Sequence, residues 1–359
     1  MRLSRRNMPV YVTAAVLLAV SALAFIQFFE RIDIEETSLA LDWLNLYPSI
    51  EGGWLRYDDT GLRQAPWSVL PLLPLGLLSV RAGWGMLTFI MFIVLVAAVP
   101  RHRNRLLYVG LILLTVLSFP ALRTVADGNF EIISTAGALL VVFAYRGQQP
   151  VLLAVAALLA SSKPQVSVLL LLVVGLYAVA QWPTQKWVTA AGITLAIVVV
   201  SLLIWGRGWY DSLQRMQEFG SIMDSSMGAS AARTGMIPPL AVNLLRAVLI
   251  GLSLAHAYLT RWTLSREKAG MLIAASLLIA PYAAGNSALS VFAVGVLPLL
   301  FSKRWAGVVL IVLTNALYLM LGQNEWMFRY SAYYWTGYFF VAWVLLGWAS
   351  WQIDRQKNT

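Results

Sequence analysis

Apolar residues in this chain fall in long unbroken runs, and short polar clusters separate them. A run of about 17–25 apolar residues can cross the hydrocarbon of a bilayer as one helix. The first run, Pro9 to Phe29, follows Arg2, Arg5 and Arg6. Its Ala22-Leu23-Ala24 has the small-x-small form of a signal cleavage site. The apolar run continues past it to Phe28-Phe29, which predicts a retained anchor. Further runs cover Trp84–Val99, Leu106–Leu122, Phe130–Tyr145, Val151–Ser161, Val166–Trp182, Trp187–Trp205, Pro239–Leu259, Ala269–Ala284, Ser287–Phe301, Ala306–Leu321 and Tyr338–Trp351. With the anchor they predict an all-α polytopic membrane protein of about 12 spans. The run Trp67–Val80 is short and holds Pro71 and Pro74, so it is expected to lie in or dip into the interface.

Charge orients these runs. With a cytoplasmic N-terminus and Trp67–Val80 not crossing, 15 of the 26 Lys and Arg fall on the cytoplasmic side and 10 outside. Arg246 lies within a span. Of the 16 acids, 14 face out. A crossing at Trp67–Val80 would translocate the basic Arg101–Arg105 cluster, against the positive-inside rule. The chain therefore reads as one integral domain, residues 1–359, with both termini cytoplasmic. Its outer segments cover about 30–80, 206–238 and 322–337. The setting is an inner (plasma) membrane, with membrane lipids as neighbours.

Composition agrees. Hydrophobic residues make up 60% and charged residues 12%, and mean hydropathy is +0.73. Soluble domains average about 45–50% apolar and about 25% charged. A soluble enzyme, a disordered chain and a disulfide scaffold are excluded. The net charge of +10 reads as cytoplasmic loop charge, and no nucleic-acid partner is expected. With no cysteine and two histidines, neither a metal nor a cofactor is expected. There is no Walker lysine motif, GxSxG elbow or HExxH. The cytoplasmic loops are too short to hold a nucleotide.

Any chemistry must then sit in the outer segments. The first holds Glu30, Asp33, Glu35, Glu36, Asp42, Glu51, Asp58 and Asp59. Most such acids simply solvate a loop. Asp42 stands apart, because Leu39-Ala40-Leu41-Asp42-Trp43-Leu44 gives it an apolar, aromatic setting. A carboxylate partly desolvated there is suited to general-base work. Otherwise it caps a helix or pairs with Arg31, Arg56 or Arg63. Asp33, Glu35 and Glu36 are the alternative bases.

A second polar cluster runs from Arg123 through Asp127, Gly128 and Asn129 to Glu131. At a span start, such groups are expected to face protein or a water-filled cavity. Ser161-Ser162-Lys163-Pro164-Gln165 interrupts an otherwise apolar stretch. It is either a plain turn or a place where Lys163 meets a lipid phosphate as a point charge. Arg207 and Arg233 are further phosphate candidates. Arg246, inside a span, calls for a partner or a purpose. His256 reads as a packed or snorkelling residue, and the aromatics of Trp326–Trp335 as an interfacial belt.

Ala65-Pro66-Trp67-Ser68-Val69-Leu70-Pro71-Leu72-Leu73-Pro74-Leu75-Gly76-Leu77-Leu78 resembles the "PPW…P(L/F)G(L/F)L" segment of glycosyltransferase family 87. Gly52-Gly53-Trp54-Leu55-Arg56-Tyr57-Asp58 is similar to that family's "G…YD" stretch. Asp127-Gly128-Asn129 lies where the family often has "GQ.N", and Ser162-Lys163-Pro164 matches its "KP". The likeness covers roughly residues 1–190 and fades beyond. It implies a GT-C-like fold and a polyprenyl-phosphate-mannose-dependent mannosyltransferase. It also implies a polyprenyl-phosphate sugar donor, a lipid or glycan acceptor, and inversion at the anomeric carbon. By that resemblance Asp42 is the base, and Lys163, Arg123, Arg233 and Arg207 hold the donor phosphate. Asp127, Asn129, Tyr57 and Trp67 then contact substrate. Two other readings stay open. A transporter or flippase of a lipid-linked saccharide should carry charge at the midplane and inverted repeats. A polysaccharide polymerase or ligase should place its large loop late in the chain.

Overall fold

The computed structural model describes residues 8–37, 39–57, 62, 64–214, 224–235, 237–260, 263–320 and 324–356. Asp58, Asp59 and Arg63 lie outside the described residues. Among those described, regular structure is helical throughout. The first half carries α1 (Met8–Glu30), α2 (Ile34–Thr37), α3 (Leu41–Leu46), α4 (Pro66–Val69), α5 (Val80–Ala98), α6 (Arg105–Val116), α7 (Phe119–Asp127), α8 (Glu131–Arg146) and α9 (Pro150–Ala160). The second carries α10 (Pro164–Gln181), α11 (Thr184–Gln214), α12 (Met227–Thr234), α13 (Pro239–Leu259), α14 (Arg266–Ile279), α15 (Ala288–Val291), α16 (Leu297–Ser302), α17 (Arg304–Asn315) and α18 (Asn324–Gln356). A π-helical turn at Phe292–Val296 joins α15 to α16.

Six helical stretches are long and apolar enough to cross a membrane: Val12–Glu30, Val80–Ala98, Pro164–Gln181, Thr184–Gln214, Pro239–Leu259 and Gly285–Ser302. A seventh forms if α6 and α7, bent by 44° at Leu117-Ser118, count as one. This is a polytopic, membrane-embedded architecture. Side-chain exposure separates the helices by role. Most of α1 faces outward, as a lipid-facing helix does, while α14 buries Glu267 to Leu278 without a break. Because α14 is surrounded by α10, α13, α18 and the π-turn, its sequence is apolar all round, without the one-sided stripe of a surface helix.

Several predicted boundaries shift. The run Leu106–Leu122 is broken at Ser118, and a new helix starts at Phe119-Pro120 and carries Arg123 and Asp127 on its last two turns. The expected interfacial run is a turn of α-helix, α4, followed by a 3-10 stretch Leu70–Leu77 with Pro71 and Pro74 inside. Segment 206–238 is helical at both ends, in α11 and α12. The aromatic segment 322–337 is helical from Asn324 onward.

The length of α11 matters for the site. At 1.5 Å per residue its 31 residues span about 46 Å, against about 30 Å of hydrocarbon, so one end extends beyond the bilayer core. That end supports the segment between α1 and α5. Trp205 Nε1 donates to Leu55 O at 3.1 Å, Ser212 Oγ donates to Leu62 O, and Gly208 packs on the Tyr57 side chain. The first segment is therefore packed, with Trp43, Ile50, Leu55 and Tyr57 buried. Trp43 Nε1 donates to Val80 O at 2.7 Å and Tyr47 OH to Leu78 O at 2.6 Å, tying its start to its end.

Candidate functional site

Two close approaches build the site. The first joins α8 to α9. A Cβ on Gly137 would stand 2.1 Å from Ala160 N, so only glycine permits this crossing. Ser134 Oγ donates to Ala160 O at 3.1 Å beside it. The chain leaving α9 thus returns to the first turn of α8, and Lys163, the N-cap residue of α10, arrives against Glu131. The second joins α3 to the turn after α7. Gly128 has φ +64°, the left-handed region that lets α7 stop there. Trp43 Cβ and Ala40 pack where a Gly128 Cβ would lie, and Ala40 N donates to Ala126 O at 2.7 Å. Asp42, one residue before Trp43, is so placed beside Asn129.

The polar groups then form one chain. Asn129 Nδ2 donates to Asp42 Oδ2. Lys163 Nζ donates to Asn129 Oδ1 at 2.7 Å and pairs with Glu131 Oε2 at 2.9 Å. The Glu131 backbone N–H also donates to Asn129 Oδ1, at 2.9 Å. Ser287 Oγ donates to Glu131 Oε2 at 3.1 Å, and Ser290 Oγ donates to Oε1. Beside this chain, Arg123 Nε and Asn286 Nδ2 both donate to Asp127 Oδ2, at 2.8 and 2.9 Å. Lys163 lies over the Phe130 ring at 5.2 Å.

Burial pushes the Asp42 carboxyl above its ordinary range. The Lys163 charge and the Asn129 hydrogen bond pull it part of the way back. Asp127 pushes it up and Arg123 pulls it down, both more weakly. Asp42 thus feels charged groups from both polar clusters, Lys163 from one and Asp127 and Arg123 from the other.

The structure sorts the other candidates. Arg123 keeps an open head, its side chain 46% exposed despite the Asp127 contact. The Lys163 side chain is 9% exposed and its charge is matched by a fully buried Glu131. Trp67 Nε1 donates to Ser161 Oγ at 2.9 Å and its ring meets Trp209 edge-on, so it borders the Lys163 turn. Tyr57 is buried and its OH donates to Gln64 O, a bracing role within the first segment. Arg207 is exposed on α11. Arg233 lies in the last turn of α12, donates to Asp224 O at 2.7 Å and stacks over Tyr333. Asp33 is exposed and pairs with Arg81 at 3.7 Å, away from the cluster. The side chains of Glu35 and Glu36 lie outside those described. Arg246 finds its partner in backbone: it donates to Ala280 O at 3.3 Å and rests on Gly228. His256 packs against Ser350 Oγ at 2.7 Å and the Trp351 ring.

Ser287 and Ser290 had no place in the sequence reading of the site, and Glu131 entered it only as one end of a cluster. A signal for them exists. Asn286, Ser287 and Ser290 put polar groups on one face at the start of an apolar run, and Glu131 with Thr135 repeats the pattern in α8.

The family model described as Glycosyltransferase family 87 matches residues 65–282, more than half of the chain. The chain belongs to glycosyltransferase family 87. It is a glycosyltransferase, acting on a donor and an acceptor in a membrane setting. The match reaches well past residue 190, so the family likeness extends into the C-terminal half. It takes in Trp67, Arg123, Asp127, Asn129, Glu131, Lys163, Arg207 and Arg233 of this family 87 enzyme. Asp42 lies before the matched segment and joins the site by its contact with Asn129. Neither the curated proteins nor the solved structures give a match to the chain.

Proposed function

We propose that this glycosyltransferase moves a mannose-like sugar from a polyprenyl-phosphate donor to a lipid or glycan acceptor on the extracytoplasmic face, with inversion. Asp42 is the base. It takes the proton of the acceptor hydroxyl as that oxygen attacks the anomeric carbon. The bond from that carbon to the phosphate oxygen breaks on the opposite face, and its electron pair leaves with the polyprenyl phosphate. The observation that carries this reading is the Asp42 carboxylate, held through Oδ2 by Asn129. Among the described residues no group donates to its Oδ1. Arg123 is the first cation for the leaving phosphate because its head is open, and a charge-assisted bond to phosphate is among the stronger polar contacts. Lys163 adds a field from behind Asn129. Arg207 and Arg233 extend the cationic surface, and Asp127, Trp67 and Tyr57 shape the substrate channel.

The test is transfer from a radiolabelled synthetic polyprenyl-phosphate mannose by the purified full-length protein. A product of inverted anomeric configuration is expected. A retained configuration overturns the single-displacement mechanism.

The same reading gives the enzyme about 12 membrane crossings in an inner (plasma) membrane, both termini cytoplasmic and Trp67–Val80 at the outer interface. The cysteine-free chain makes this easy to probe. Trp54→Cys, at an exposed position, should label with an impermeant reagent added outside, and Asn104→Cys only after permeabilisation. Labelling of Asn104→Cys in intact cells reverses the topology.

A further inference from the structure

Asn129 has its orientation imposed by chemistry. Lys163 Nζ and the Glu131 N–H can only donate, and both meet the same atom of the Asn129 side chain. That atom must be the oxygen. The amide nitrogen is thereby forced toward Asp42, where it needs an acceptor. One oxygen of Asp42 is thus engaged and the other left for the substrate proton.

Lys163 is held just as firmly. As N-cap residue of α10 it sits at the positive end of a helix dipole, an unfavourable place for a cation without a counter-charge. Glu131, fully buried, supplies that charge at 2.9 Å. Glu131 is itself held at both oxygens: Ser287 Oγ and Lys163 Nζ share Oε2, and Ser290 Oγ takes Oε1. Ser290 Oγ also lies 2.7 Å from Thr135 Oγ1. A buried ion pair is a weak source of net stability, because desolvation offsets its Coulomb gain. What this one supplies is a fixed geometry.

We infer that Glu131 and Lys163 are positioning residues, a buried pair that locks the Asn129 amide and through it presents Oδ1 of Asp42 to the acceptor. The inference rests on Asp42 being the base. It moves Lys163 from phosphate ligand to orienting group, and it ties the reacting carboxylate to the 285–290 segment through Ser287 and Ser290.

The charged groups facing Asp42 are Lys163 at the start of α10 and Asp127 and Arg123 on α7, with Glu131 behind Lys163. This arrangement gives opposed electrostatic signatures. The ionisation of Asp42 is followed by infrared titration of the carboxyl stretch in the purified full-length protein, with Asp42→Asn as the subtracted reference. Lys163→Gln is expected to raise the Asp42 midpoint by about one pH unit, and Glu131→Gln, farther off behind Lys163, to lower it by less. Shifts in the same direction, or no shift in either variant that retains its melting transition, overturn the proposal. Each single variant leaves a buried charge unmatched. The double variant Glu131→Gln/Lys163→Gln leaves none and keeps the test open if a single variant fails to fold. In the double variant kcat with synthetic polyprenyl-phosphate mannose is expected to fall on the order of 10²-fold, with donor KM little changed, as for a misplaced reacting group. A wild-type kcat there also overturns the proposal. Opposed midpoint shifts together with wild-type transfer by Asp42→Asn would leave the hold of the buried pair on Asn129 intact and remove the base reading instead.

Discussion

Asp42→Asn lowers the rate of sugar transfer by about 10²–10⁴-fold, the usual contribution of a general base. The substitution keeps the shape of the side chain, and an amide oxygen still accepts from Asn129 Nδ2. The fold is therefore retained, and donor binding changes little. The stability of the variant gives a second readout. Burial holds the carboxyl of Asp42 above its unfolded value, so its neutral form is the one the fold prefers. The stability associated with that form is present at low pH and is lost as pH rises through the folded pKa. At neutral pH the ionised Asp42 is thus a cost to the fold, and Asp42→Asn should melt at or above the wild-type temperature. For the same reason the wild-type rate falls away on the acid side at a higher pH than a free aspartate would dictate. Transfer at the wild-type rate by Asp42→Asn moves the base to another acid of the first segment.

Gly128→Val has the next largest expected effect, and it acts through backbone. The residue adopts φ +64°, a region that costs an L side chain about 1–2 kcal/mol and suits a β-branched one least. A Cβ there would lie 2.6 Å from Trp43 Cβ and 3.0 Å from Ala40 Cα. Relief requires α3 to move off the α7 turn, which carries Asp42 away from Asn129. Destabilisation of about 2–4 kcal/mol and near-complete loss of transfer are expected, measured by melting and by the donor assay. Gly128→Asn separates the two causes. Asparagine tolerates the left-handed region, so it keeps the turn but still brings a Cβ against Trp43. Its transfer rate should drop with only a modest change in melting. Wild-type transfer by Gly128→Asn means that the Trp43 contact does not set the position of Asp42.

Much of this protein is local and therefore readable from the chain. Run length alone identifies the membrane helices such as Pro239–Leu259, because crossing hydrocarbon is a constraint on one segment at a time. Asp42 stood out by its apolar neighbours, and the cluster from Arg123 to Glu131 by the cost of polar groups at a span start. The ordered motifs from Gly52 to Pro164 were enough to suggest the family that the match over 65–282 assigns.

Other features depend on which helices touch, and no local pattern specifies that. The break at Ser118 turns a single apolar run into two helices and puts Arg123 inside the second, with Asp127 at its end. Lys163 read as either part of a plain turn or a point charge for a lipid phosphate; the Gly137–Ala160 contact carries it onto Glu131. Asn129 reaches Asp42 across 87 positions, and Ser290 reaches Glu131 across 159. Hydrophobic runs say that segments are buried in a membrane. Which buried polar groups satisfy one another is decided only when small residues let particular helices approach, since each unpaired group in that low-dielectric interior is costly and must find its partner wherever the packing places one.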